Sequence, residues 1–403
     1  MDFSSIDIFC HCVDNFGDAG VARRFALEFK AARENWRVRV FIDNMDTLHA
    51  IDGGIDPALA VQVRESITYV NSAAMDGTAA NALGVADVMV EAFACHIPEP
   101  LMELAYDGSK LIINLEYLSA EGWVEGYHLK ESLLGRGSVR KFFFMPGFRE
   151  GTGGIIVNSR LEKARAGGGP DRAAVLGGIL DRYGIPAKPE GGGQLVGTVF
   201  TYERGFDALM ADINADGREV VLIVFGGKSQ RGMAATLGRL GVDAATQRPL
   251  YQYRNISLVF HPFIPQDDYD ALLCLADFNL VRGEDSLARA VLSGRPFVWN
   301  AYIQDGKYQR VKVEALLETM RPFYAGVDGG GGAFGAYEAL MLAFNDAAEE
   351  STAQATGERY ADFLKNLKKH ERAASAMYYF ILRNCSLIDH FCGFIDKYRA
   401  GLT

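Results

Sequence analysis

Two stretches of this 403-residue chain carry side chains whose types and spacing could do chemistry. The first is Arg282-Gly283-Glu284-Asp285-Ser286, which follows the apolar run Phe278–Val281 and opens a helical pattern. That places it at the carboxyl end of a strand and the amino end of a helix, where α/β proteins hold ligands. A helix amino end offers unpaired N–H groups and partial positive charge, which suit a phosphate. Ser286 adds a hydroxyl and Arg282 a planar cationic fork. Glu284 and Asp285 would repel a phosphate and instead suit sugar hydroxyls or the helix N–H groups. Phosphate donors beside hydroxyl acceptors are the set needed to hold a sugar nucleotide. A capping motif with a surface ion pair uses the same residues and is the competing reading.

The second stretch is Asp14-Asn15-Phe16-Gly17-Asp18, a turn after the apolar run Ile6–Cys12. Two carboxylates four residues apart can share one polarised N–H donor, and one can act as general base. N-capping of a helix over Ala19–Glu34 by Asp18, with Asp14 in the turn, fits the same spacing. Two aromatic pairs add a further signal. Phe263 and Gln266 sit in a loop between prolines and an acidic helix start, and a flat ring beside an amide could stack on a base and read its edge. Phe200 and Tyr202 follow a strand end in the same half of the chain. A core ring beside a loop residue is the better reading of Phe263 and Gln266 taken alone, and Phe200 and Tyr202 admit the same two readings.

Other signals fail on spacing. Gly226-Gly227-Lys228-Ser229 resembles the end of a P-loop, but Leu222 stands where its first glycine belongs. Gly227–Gly232 misses the nucleophile elbow by one residue. Cys10-His11-Cys12 has no second ligand pair at a metal-binding spacing, and Cys385, His390 and Cys392 fall on an apolar terminal helix.

The elements that must position these residues alternate in type. Strands are expected at Ile6–Cys12, Val38–Ile42, Val85–Phe93 and Lys110–Leu115, with a helix over Ala19–Glu34. In the second half, strands at Leu195–Phe200, Glu219–Phe225, Ser257–Phe260, Phe278–Val281 and Phe297–Asn300 alternate with helices such as Phe206–Ala215. The glycine-rich segment Gly167–Gly193 reads as a linker and Gly329–Gly332 as a loop. Helices are expected at Ala336–Glu350, Gly357–His370 and Arg372–Arg399, the last broken near Asn384. This rhythm predicts an α/β chain of two doubly wound halves.

Length supports two domains of about 150–200 residues each. A net charge of −10 argues against broad phosphate neutralisation on a nucleic acid. The first residues lack the basic flank and apolar run of a signal peptide, and no apolar stretch reaches the roughly 18 residues of a membrane span. The six cysteines then read as reduced thiols of a cytoplasmic protein.

Four separated blocks in order resemble one family, the bacterial elongation factor P arginine rhamnosyltransferases. They are Val13–Asp18, Asn114–Glu121, Lys141–Phe148 and Pro262–Trp299, and the resemblance spans nearly the whole chain. It implies a GT-B glycosyltransferase fold, with two Rossmann-like domains facing across a cleft. The acceptor-side domain would span residues 1–165, with a terminal helix at about 375–403 packing back on it. A linker over 166–193 and a nucleotide-sugar domain over 194–374 would follow. The implied activity is inverting transfer of L-rhamnose from dTDP-β-L-rhamnose to an arginine of elongation factor P, activating it to rescue polyproline-stalled ribosomes. No metal or cofactor is implied, and no nucleic acid or membrane partner. The resemblance also implies residue roles. Phe263 and Gln266 would take thymine, while Arg282, Glu284, Asp285 and Ser286 would take ribose and diphosphate. Phe200 and Tyr202 would line the nucleotide and rhamnose side, and Asp14, Asn15, Phe16, Gly17 and Asp18 would face rhamnose and the acceptor arginine, with Asp18 as base. The alternatives are a GT-B transferase or epimerase for another sugar nucleotide, and a non-catalytic nucleotide-binding regulator.

Overall fold

A computed structural model describes residues 3–402 apart from 14, 74, 94, 135–136, 168, 170, 187–192, 245–248, 304–307, 328–331 and 347–356. Asp14, Gly191-Gly192 and Gly329–Gly331 therefore lie outside the described residues, and for Asn15 only the backbone is described. Contacts divide the chain into two units, one of Met1–Asn158 with Ile381–Thr403 and one of Ser159–Phe380.

In the first unit β1 (Ser5–Cys10), β2 (Arg37–Ile42), β3 (Val61–Arg64), β4 (Ile67–Asn71), β5 (Val88–Ala92), β6 (Leu111–Leu115), β7 (Glu131–Ser132) and β8 (Arg140–Phe144) form one sheet. Its order is β3-β4-β2-β1-β5-β6-β8-β7. The six central strands run parallel, and antiparallel β3 and β7 close the edges. Side chains of β1 alternate between faces as strand geometry requires. Ile6, Ile8 and Cys10 join a core beneath α1 (Asn15–Ala32) and α16 (Leu387–Arg399), where Phe391 meets Phe25 and Phe29 edge to face. Phe9 points the other way into a second core, with Leu101 and Ala105 of α4 (Glu99–Gly108). On that second face Asp7 is fully buried and takes a two-pronged bond from Arg39, each prong 2.7 Å, with a third bond from the amide of Ala86. Burial raises the Asp7 pKa, but the paired geometry keeps the charge matched.

In the second unit β9 (Gln194–Val199), β10 (Glu219–Phe225), β11 (Leu250–Tyr253), β12 (Ile256–His261), β13 (Phe278–Arg282) and β14 (Phe297–Asn300) order as β11-β12-β10-β9-β13-β14. All are parallel except edge strand β11. Helices α9 (Gly227–Arg239), α10 (Gln266–Leu275) and α11 (Gly283–Ser293) follow β10, β12 and β13.

Several expectations change. The first helix begins at Asn15, so the expected turn at 15–18 is its first turn. Residues 166–193, expected as a linker around a short helical stretch, hold that stretch as α7 (Arg172–Arg182), and it packs on α10 within the second unit. The expected helix Gly357–His370 starts only at Ala361, because Asp212 binds the amides of Tyr360 and Ala361 and fixes the start there. It ends at Lys365, and α15 (Leu367–Asn384) begins separately. The expected break near Asn384 separates α15 from α16. Hairpin β3–β4 and strand β8 were not read from the sequence, since their residues alternate weakly or run apolar without a turn signal.

Candidate active site

In each unit the strand order reverses direction beside its first strand. Chain order moves outward from β1 through β2 to β4 and then returns to β5 on the other side of β1. It likewise moves from β9 through β10 to β12 and returns to β13. The helices on either side of such a reversal diverge and open a crevice at the strands' carboxyl ends. The acid residues fall at the first reversal and the nucleotide candidates at the second.

At the second reversal, the end of β9 presents Phe200, Thr201 and Tyr202. The amide of Thr201 is held by Ser229 Oγ at 2.8 Å, and that of Tyr202 by Asn300 Oδ1 at 3.1 Å. Arg282 leaves the end of β13 and donates to the Thr201 carbonyl at 3.3 Å. Its guanidinium lies 4.4 Å from the Phe200 ring centroid and 5.0 Å from that of Tyr202. Phe263 meets Phe200 edge to face at 5.9 Å and is 59% exposed. Gln266 opens α10. Tyr302, half exposed, meets the Tyr202 ring at 5.7 Å.

Gly283 holds φ +66 and lets β13 turn into α11, while Trp299 Nε1 binds its carbonyl at 3.0 Å. Of the acids in the first turn of α11, Glu284 pairs with Lys312 at 3.0 Å and Asp285 with Arg289 at 3.5 Å. Ser286 is buried one residue on. Arg289 also binds Asp270 and the Gln266 carbonyl, tying the start of α10 to the start of α11. Burial alone would lower the Arg289 pKa, yet the neighbouring Asp270 and Asp285 carboxylates outweigh it and the net shift is upward. The structure thus joins Phe200, Tyr202, Phe263, Gln266, Arg282, Glu284, Asp285 and Ser286 at one sheet end. Sequence reasoning missed Arg289, Lys312 and Asn300. The i,i+4 step from Asp285 could have flagged Arg289. Lys312 is 28 residues from its partner and left no local signal.

At the first reversal, β1 ends at Cys10 and the chain reaches α1 within a few residues. Phe16 stands exposed on the first turn beside Gly17. Asp18 is 3% exposed, and its Oδ2 accepts the amide of Val13 at 3.0 Å. It therefore reaches back toward the strand instead of capping α1 from outside, which corrects the capping geometry expected above. A pocket of about 340 Å³ adjoins, walled by Phe9, His11, Phe41, Asp43, Ser72 and His96 among others. Cys95 also lines it, and burial pushes that thiol up to about 12, so it stays protonated at neutral pH and is no nucleophile.

The family described as Elongation-Factor P (EF-P) rhamnosyltransferase EarP matches residues 6–396. This chain belongs to that family. A protein-arginine rhamnosyltransferase of Pseudomonas aeruginosa is 33% identical over 360 residues, covering 84% of this chain and 90% of the relative. One from Pseudomonas putida is 35% identical, covering 78% and 81%. Among solved structures, one concerned with EarP-mediated arginine glycosylation of translation elongation factor EF-P aligns with TM-score 0.62 at 22% identity. It covers 98% of this chain and 99% of its own. A putative UDP-N-acetylglucosamine 2-epimerase from Listeria monocytogenes aligns at TM-score 0.51 and 11% identity, covering 100% and 98%. These likenesses show the GT-B fold expected of the EarP family, and the chain is a glycosyltransferase.

Proposed function

We propose that this chain transfers L-rhamnose from dTDP-β-L-rhamnose to an arginine side chain of elongation factor P, with inversion at the anomeric carbon. The observation that carries the reading is the pair of strand reversals. One gathers aromatic rings, a fixed cation and a helix amino end, and the other gathers a buried carboxylate. Family membership supports rhamnosyl transfer to an arginine of elongation factor P, and the donor-side chemistry fits dTDP-β-L-rhamnose.

On this reading Phe263 stacks on thymine and Gln266 reads its edge. Glu284 and Asp285 accept from ribose hydroxyls, held in place by Lys312 and Arg289. Ser286, the amino end of α11 and Arg282 take the diphosphate, whose charge grows as dTDP leaves. Phe200 and Tyr202 orient Arg282 and flank the sugar. The acceptor guanidinium arrives protonated, because its pKa is about 12.5 or higher, and its nitrogen lone pairs are delocalised. Attack therefore needs one nitrogen aimed at the anomeric carbon and relieved of a proton as the C–N bond forms. Asp18, helped by Asp14, grips the guanidinium and accepts that proton. No metal or cofactor is required, since the leaving diphosphate is stabilised by side chains and the helix end. The cytoplasm, where elongation factor P works, is the proposed location.

Incubation with dTDP-β-L-rhamnose and elongation factor P, followed by intact mass and fragment analysis, tests the reading. One added deoxyhexose on an arginine is the expected result. No transfer, or equal transfer from UDP- or GDP-sugars, would count against it.

A further inference from the structure

The short connection from β1 to α1 is held by two carboxylates, only one of which has a role so far. Asp43 follows the last residue of β2 and is 25% exposed. Its Oδ1 accepts the amide of Cys12 at 3.0 Å, and its Oδ2 meets Nδ1 of His11. The next amide, that of Val13, donates to Asp18 Oδ2 at 3.0 Å. Beyond Cys10 these amides have left the sheet ladder, so a carboxylate acceptor is what fixes them. Asp18 is thus aimed through Val13, and Val13 is fixed through its neighbour Cys12 by a side chain from the adjacent strand.

We propose that Asp43 is a positioning residue for the transfer reaction: it clips the 11–13 segment so that Asp18 meets the acceptor nitrogen in register. The inference rests on the reading of Asp18 as the base. Misplacement of a reacting group by about 1 Å costs on the order of a hundredfold in rate. The two oxygens of Asp43 do unequal work. His11 is largely exposed, and an exposed pair contributes little. The Cys12 amide has no such freedom, because the backbone carries it directly into the acid loop. An amide at position 43 still offers an oxygen to Cys12 and should preserve the clip, whereas alanine removes it.

The test compares wild type, Asp43→Ala, Asp43→Asn and His11→Ala in the full chain. Asp43→Ala should lower kcat roughly 10- to 100-fold, with dTDP affinity and acceptor KM within about twofold of wild type. Asp43→Asn should recover to within about fivefold and His11→Ala to within about threefold. Amide exchange at Cys12 and Val13 should quicken at least about tenfold in Asp43→Ala alone, with strands β9 and β13 unchanged. The proposal is overturned by an Asp43→Ala enzyme as fast as wild type, or by an Asp43→Asn enzyme as slow as Asp43→Ala. A rise in acceptor KM instead of a fall in kcat would make Asp43 a binding group and also overturn it. If wild type transfers no rhamnose, the functional reading fails by itself. The exchange measurement then still decides the clip, and unchanged exchange overturns it.

Discussion

The guanidinium of Arg282 lies 4.4 Å from the ring centroid of Phe200 and 5.0 Å from that of Tyr202. A cation against two aromatic rings is oriented by their quadrupoles as well as by its bond to the Thr201 carbonyl. The planar fork is therefore set before any ligand arrives. Lysine at this position keeps the charge but has neither the fork nor the stacking surface. Arg282→Lys should weaken dTDP binding about tenfold, by a loss of roughly 1–2 kcal/mol. Isothermal titration would show it, and unchanged affinity would remove Arg282 from the diphosphate site.

Phe263 is the most exposed ring of its cluster, so it adds little to the core and its removal should leave the fold intact. A base stacked on such a ring gains roughly 1–3 kcal/mol. Phe263→Ala should raise the donor Kd about 10- to 100-fold while the melting temperature moves by only a degree or two. A large fall in melting temperature with normal donor affinity would make Phe263 a packing residue only.

The second-half site was legible because its signals are local. Arg282–Ser286 sits directly between a strand and a helix, and the short apolar run Phe278–Val281 before it reads as a buried strand. What holds the acids was not legible, since Lys312 and Asp43 reach their partners across separate elements. The reversal of strand order that brings β1 beside β5, and β9 beside β13, depends on sheet order, which no local pattern encodes. The start of α1 was misplaced by four residues for a related reason. Asp18 resembles an N-cap in sequence, but its side chain reaches back to Val13 from inside the first turn.

Asp18→Asn separates chemistry from structure. The amide oxygen can still accept from Val13, so the first turn of α1 should keep its place. A neutral amide cannot take the guanidinium proton, and turnover should fall by at least about a thousandfold while dTDP affinity holds. The mass assay beside a donor titration reads both effects. An active Asp18→Asn enzyme would assign the base elsewhere.

His128 sets an acid limit on stability. Burial, with a smaller contribution from the nearby His390, lowers its pKa to about 4. The geometry agrees, because Nδ1 accepts the amide of Met145 at 3.2 Å and must be unprotonated to do so. Between its ordinary value near 6.5 and the folded value, the unfolded chain binds the proton and the folded one does not. The stability contribution is therefore fully present above pH ~6.5 and is lost as pH falls toward ~4, by on the order of 3 kcal/mol. His128→Asn, which keeps an acceptor for Met145 without titrating, should flatten the melting-temperature profile over that window. Parallel profiles for variant and wild type would place the acid sensitivity in other groups.

Gly226 ties backbone conformation to the donor site. It holds φ +75, and a Cβ built there would stand 3.1 Å from Phe200 Cε2 and 3.3 Å from Phe263 Cζ. Alanine would therefore carry two penalties, backbone strain of roughly 1–3 kcal/mol from a positive φ paired with ψ 148 and displacement of both rings by a few tenths of an ångström. The strain acts on folding, and the displacement acts on whatever stacks against Phe263. Gly226→Ala should lower the melting temperature by about 2–6 °C and also weaken dTDP binding about fivefold. Gly178→Ala is the matched control, since that helical glycine has an ordinary φ and open space around its would-be Cβ. It should hold or slightly raise stability and leave donor affinity alone. If Gly226→Ala loses stability but binds dTDP normally, the two rings accommodate the methyl group without disturbing the base site, and the coupling between this turn and donor binding is refuted.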